Sequence, residues 1–347
     1  MARAAGVRAH AMKQIPKNAS FLFDRENRFV LFGLANDQVC WRGVGLLALV
    51  FFGSLVVAAV LMPLTYWAVE WWTPQAAPSL LTKGSNNLFD FIRWLPIVIA
   101  FPWLMMTCGL WSLRALGLGQ PRHFLGHWAA WFAVGTLLVG VLAAGQLAAD
   151  AVVIAPRESL SAIVALKWIT AALAVAVGVS FIEEIVFRGV ILRMFYTAVR
   201  LPWLALILSA LFFAHVHFKA GGLAKLGTVD WESGWVAAYW TLIGIIPHFD
   251  PERFLGLCLL GMILGALTLR TGSLWPAIGL HGGLVFGILT YNHLAHSVGP
   301  GQGFWGGTSL IDGWPASIAL CLLLLAVVHV NLPDYSRIGP APPATFE

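Results

Sequence analysis

Eight runs of roughly 17 or more predominantly apolar residues constrain this chain more than anything else in it. They lie at 44–69, 91–113, 127–149, 163–196, 201–218, 254–270, 273–292 and 314–331. An apolar run of that length can cross the ~30 Å hydrocarbon core of a bilayer as a helix. Inside lipid a helix satisfies its own backbone hydrogen bonds. The expected fold is therefore all-α: a polytopic membrane protein with about eight transmembrane helices and an active site within the bundle. Composition agrees, with 59% hydrophobic and 11% charged residues, against about 25% charged in soluble domains. The fourth run is too long for one simple span and is expected to tilt, break or run on along the interface. The apolar stretch Trp235–Ile246 is too short to cross and reads as a re-entrant or interfacial element.

Residues 1–43 form a polar, basic arm, 44–332 the helical bundle, and 333–347 a short flexible tail with Pro340, Pro342 and Pro343. The arm has no apolar core beside a small-residue cleavage site, so it is not read as a cleavable signal. Eight spans put both termini on one face. Arg3, Arg8, Lys13, Lys17, Arg25, Arg28 and Arg42 lie on that face, as do Arg114, Arg122, Arg193, Arg200 and Arg270. The positive-inside rule then makes both ends cytoplasmic. Tyr66, Trp67, Trp71, Trp72, Trp94, Trp111 and Trp128 cluster near span ends as an aromatic belt. The net charge of +5 reflects cytoplasmic loops, and no nucleic-acid partner is implied. Cys40, Cys108, Cys258 and Cys321 show neither paired metal spacing nor a disulfide framework.

Ionisable residues inside such runs carry the functional signal, because each costs several kcal/mol to place in hydrocarbon. In the fourth run Glu183 and Glu184 are adjacent and Arg188 follows. Glu184 and Arg188 are four apart, share a helix face and can pair. Glu183 is rotated by about 100° and is left as the accessible carboxylate. The fifth run carries His215 and His217, which point to nearly opposite sides of a helix, so one of them is expected to face Glu183. Glu183 and His217 are each about 17 residues from the turn near Arg200, roughly 25 Å along their helices, and so lie at a common depth. His281 stands among glycines that permit close helix approach. It is about nine residues into its helix, and looks shallower unless that helix starts deep.

One glutamate and two histidines suit hydrolysis in two ways. Glu183 can act as general base on water, with the histidines polarising the water or stabilising the oxyanion. Alternatively Glu183, His217 and His281 are candidate ligands of a zinc ion with an open water position. No HExxH helix is present to favour the metal.

Three segments together resemble the CPBP family of intramembrane proteases, which contains the type II CAAX prenyl proteases and the bacteriocin-processing Abi relatives. The first motif, EExxxR, is matched by Glu183, Glu184 and Arg188, with Phe187–Gly189 as the usual continuation. The second, FxxxH, is matched by Phe213 and His217, with Ser209 upstream and His215 as an extra histidine. The third is a histidine followed four residues later by a polar residue. His281 and its Thr-Gly-Ser-Leu-Trp-Pro lead-in fit, but Val285 takes the polar position. The resemblance covers about 163–292. It implies a multi-pass protein of the bacterial cytoplasmic membrane, an endopeptidase of glutamic or metallo type acting on a membrane-anchored protein or peptide. It implies catalytic roles for Glu183, Glu184, Arg188, His217 and His281, and substrate or oxyanion support at Phe213, His215 and Val285. Two other classes compete: a non-catalytic scaffold or immunity-type protein of the same fold, fed by Val285, and a proton-coupled transporter using Glu183, Glu184 and His217 as a relay.

Overall fold

The computed structural model describes residues 34–74, 85–119, 124–156, 161–217, 229–243, 246, 249–298 and 302–330. The expected basic arm, apart from its last ten residues, and the expected tail lie outside the described residues. The chain begins its first helix, α1, at Asp37 rather than at 44, and carries it to Trp72. The Asn36 side chain accepts from the Val39 amide at 2.8 Å and so caps it. At 36 residues α1 is about 54 Å long, well beyond the hydrocarbon thickness. Helices α2 (Ser85–Thr107) and α3 (Phe124–Ala148) follow.

The long fourth run does break, into three pieces. Helix α4 (Ala162–Glu184) passes into a π-helical segment, Ile185–Ile191, which gives way to α5 (Leu192–Val199). After α6 (Pro202–His217) comes α7 (Ser233–Ile243), the short apolar element expected around 235–246. It packs against α1 so closely that a Cβ on Gly234 would lie 1.9 Å from the Ala59 carbonyl oxygen. Asp230 caps α7, accepting from the amide and hydroxyl of Ser233, and those bonds hold its carboxyl below the usual carboxylate range. Helices α8 (Pro251–Thr271), α9 (Trp275–Leu294), α10 (Gln302–Trp305) and α11 (Trp314–His329) complete the bundle.

Five segments, 37–72, 88–107, 124–148, 162–199 and 251–271, are long and apolar enough to cross a membrane. The chain is thus an integral multi-pass membrane protein. The eight expected spans all coincide with helices, but α6 and α11 have only 16 residues each, about 24 Å. One element departs from the all-helical expectation. Val152–Ile154 (β1) pairs antiparallel with Ala295–Ser297 (β2), joining the ends of α3 and α9. Three residues per strand give no apolar alternation to read.

Helix α8 is the central post, with 67% of its apolar window buried against 11% for the 162–199 span. Asp250 caps it and Gly272 ends it at φ +67°. Its Gly261 lets α6 approach, a Cβ there lying 2.9 Å from Ala210 Cα. Helix α9 seats on α3 in the same way: Cβ atoms on Gly279 and Gly283 would lie 2.3 and 2.1 Å from the carbonyl oxygens of Trp128 and Phe132. Small residues at four-residue spacing allow this backbone contact, which in lipid replaces the missing hydrophobic drive. The turn before α9 is itself covered. Gly117, at φ +80°, accepts from the Leu274 amide (3.1 Å) and the Ser273 hydroxyl (3.3 Å), and Leu116 and Leu118 pack with Leu274. Asp37 and Arg200 pair at 2.8 Å and tie the start of α1 to the α5–α6 turn.

Candidate active site

The site is built where α4 meets its π-helical segment. A π turn holds more residues than an α turn, and such insertions recur at functional positions. Here it begins directly after Glu184 and contains Arg188. Glu184 has no exposed side-chain surface and Arg188 has 1%, and the two pair at 2.9 Å as the spacing predicts. Arg188 Nη2 also donates to the Gly261 carbonyl of α8 at 3.3 Å. Its Cζ stands 4.5 Å from the centre of the Phe213 ring and 5.7 Å from that of Phe187. The guanidinium is thus held by a carboxylate, a carbonyl and two aromatic faces.

His281 reaches the same carboxylate: its Nδ1 lies 2.8 Å from Glu184 Oε1. The shallower depth expected for His281 is corrected. Its helix starts deep, because the 110–118 segment packs beneath Leu274 and carries the α8–α9 turn into the protein. Glu184 Oε1 already accepts from Arg188 Nη1, so His281 Nδ1 faces an acceptor and donates to it. That leaves His281 Nε2 turned toward Glu183, 3.9 Å from Oε2.

Glu183 occupies the open side. Its side chain is 24% exposed and that of His217 is 29% exposed, while His281 is at 7%. His217 Nε2 lies 3.1 Å from Glu183 Oε2, and its Nδ1 lies 2.8 Å from the Phe213 carbonyl oxygen. A carbonyl only accepts, so Nδ1 carries a proton. In a neutral imidazole Nε2 would then be a bare acceptor facing a carboxylate oxygen. The 3.1 Å contact therefore holds one shared proton, on Glu183 or on His217. The depth match read from the sequence is the contact the structure makes.

Three expected support residues are placed differently. Phe213 is 1% exposed, its ring 4.2 Å from that of His217 and 5.0 Å from that of Phe187. It is a packing surface beneath the polar groups and cannot touch a substrate. His215, two residues before His217, points to nearly the opposite side of α6. Val285, one turn beyond His281, is half-buried and offers no polar group. The Gly261 carbonyl was not legible in the sequence, since any residue supplies one.

Zinc is the metal these groups suggest. The donor types suit it, since both histidines have Nδ1 held by an acceptor and Nε2 turned to a carboxylate, as ligating histidines do. Among the described residues no group of three His, Cys, Asp or Glu side chains is arranged to hold a metal ion.

Comparison with protein families matches residues 165–287 to type II CAAX prenyl endopeptidase Rce1-like. This segment resembles an Rce1-like domain. It carries Glu183, Glu184, Arg188, Phe213, His217 and His281, and so holds the whole polar cluster. Helices α1, α2 and α3 lie outside the Rce1-like segment. No curated protein and no solved structure matches the chain.

Proposed function

We propose that the protein is an intramembrane endopeptidase that hydrolyses a peptide bond of a membrane-anchored protein or peptide, with water activated by Glu183. The carrying observation is the shared-proton contact between Glu183 and His217 on the open side of a buried Glu184–Arg188–His281 triad. Glu183 as carboxylate accepts a proton from water as that water's oxygen attacks the peptide carbonyl. The protonated glutamic acid then delivers that proton to the leaving amine. His217, carrying the shared proton at Nε2 while Glu183 is a carboxylate, donates it to the oxygen that becomes negative, and His281 Nε2 faces the same side. The Phe213 carbonyl and the Glu184 carboxylate orient the two rings. Arg188 holds Glu184 in place. The substrate side is the lipid bilayer, and the charge bias of the loops favours a cytoplasmic membrane with both termini inside.

The test is cleavage of a lipid-anchored, fluorescence-quenched peptide by protein reconstituted in vesicles, before and after chelation. Turnover that survives chelation and is lost in Glu183→Gln supports glutamate-activated water. Turnover abolished by chelation and restored by zinc would replace it with a zinc site at Glu183, His217 and His281. Wild-type turnover in Glu183→Gln sinks both versions. Inactivity of a well-folded wild type toward a broad peptide set favours the scaffold reading that Val285 feeds. Ion-gradient-dependent uptake into the vesicles would instead favour the transporter.

A further inference from the structure

Three sulfur-bearing side chains, far apart in the chain, meet near the start of α1, outside the polar cluster and unused by the chemistry above. Cys40 lies on α1, Cys108 directly after the end of α2, and Met194 on α5. All three are enclosed, at 0%, 2% and 2% exposure. Their meeting point is Gly43, one turn beyond Cys40 on the same face of α1. A Cβ on Gly43 would lie 2.7 Å from Cys108 Sγ and 3.9 Å from Met194 Sδ, so sulfur from two other segments fills the space the glycine leaves. The Cys40 thiol donates to the Met194 carbonyl oxygen at 3.3 Å. Both cysteines are free thiols.

The chemistry of this group is narrow. Leu104, Leu110 and Val190 share its buried cluster, so its surroundings are apolar and its only distinctive atoms are soft sulfurs. Buried thiols are inert toward oxidants, which argues against a redox couple. Thiolate and thioether ligands together select monovalent copper. Structural zinc would ask for four ligands, drawn from thiolate, imidazole and carboxylate. The site is also close to water. Asp37 and Arg200 pair in the open at the same end of α1, and Cys40 is three residues, about 4.5 Å of helix rise, further in.

We propose that Cys40, Cys108 and Met194 form a binding site for monovalent copper, with two thiolates and a thioether as ligands. The proposal stands apart from the peptidase reading. Each thiol gives up its proton to solvent as it ligates, so loading weakens as pH falls. The ligands come from three segments that only the folded chain brings together, so a bound ion stabilises the fold. It ties α1 and the end of α2 to α5, and α5 continues the π-helical segment that carries Arg188. No local pattern announces such a site, because its ligands stand at 40, 108 and 194.

The experiment titrates the reduced full chain in detergent, without oxygen, with monovalent copper held by the chromogenic chelator bicinchoninate. Wild type is expected to take one equivalent from the chelator and to gain about 3–5 °C in melting temperature. X-ray absorption of the loaded protein is expected to show sulfur ligands alone. Cys40→Ser and Cys108→Ser are each expected to lose the equivalent and the thermal gain. Met194→Leu, which keeps the volume, is expected to bind more weakly and to lose the thioether contribution to the spectrum. Wild type that takes no copper from the chelator overturns the proposal, as do nitrogen or oxygen ligands in its spectrum. Neither result depends on a variant folding. Copper retained by a folded Cys40→Ser, or lost in His217→Ala, places the ion elsewhere and overturns it too. So does a wild type that in air loses two of its four thiols as a Cys40–Cys108 disulfide and binds no copper when reduced.

Discussion

The two halves of the polar cluster are built from adjacent residues and behave as opposites. Glu184 is fully enclosed: Arg188 and His281 both bond its Oε1, and Arg188 is held in turn by the Gly261 carbonyl and the Phe213 ring. Glu183, the residue before it, keeps 24% of its side-chain surface and faces His217 and His281. The closed half spends its charge on geometry: every partner of Glu184 is a group it orients. In the open half Glu183 and His217 share one proton across a 3.1 Å contact on the accessible side, which makes it reactive. The lesson is that two carboxylates of identical chemistry are assigned different work by a rotation of about 100° on one helix.

That contrast is open to attack. Arg188→Ala should have the largest effect, since it strands Glu184 in a dry site. A loss of about 3–5 kcal/mol is expected, read as a large drop in melting temperature in detergent together with lost cleavage. Combining Arg188→Met with Glu184→Leu should recover most of that stability and none of the activity. If the double variant melts no higher than the single, the closed half is not an ion-pair structure.

Glu183→Gln should leave the melting temperature within a few degrees and lower cleavage by about 10²–10⁴-fold. A comparable loss of stability would erase the distinction between the halves. The histidines should divide in the same way. His281→Ala should cost both stability and turnover, because it uncovers Glu184, while His217→Ala should cost turnover with little stability. Melting curves and rates of the two variants, side by side, check this.

Gly283→Ala tests the scaffold behind the closed half. Its Cβ would lie 2.1 Å from the Phe132 carbonyl oxygen, so α9 must move off α3. Overpacking of this kind costs about 1–3 kcal/mol, and turnover should fall several-fold as His281 shifts. His215→Ala should do least, changing stability by about 0.5 kcal/mol or less and turnover by less than about threefold. A large loss there would mean that the second face of α6 belongs to the machinery.

Much of this was legible in the chain. Apolar run length located every helix that spans or lines the bundle, because lipid admits almost nothing else. The four-residue spacing of Glu184 and Arg188 foretold their pairing, and equal distances from the Arg200 turn foretold that Glu183 and His217 would meet. Those are local relations, fixed by helix geometry alone. The roles of Phe213, His215 and Val285 were not legible in this way, because whether a side chain faces substrate, core or neighbouring helix depends on what packs around it.

The sequence by itself determined a multi-pass helical membrane protein with one cluster of buried charge and the order of its helices. Only the tertiary structure decided that His281 sits deep, since the 110–118 segment that lifts its helix is far away in the chain. It alone decided that the chain passes into a π-helical segment after Glu184. The physical reason is common to both. Periodicity fixes the direction of a side chain about its own helix axis, while depth and neighbours are set by contacts between segments that no local pattern encodes.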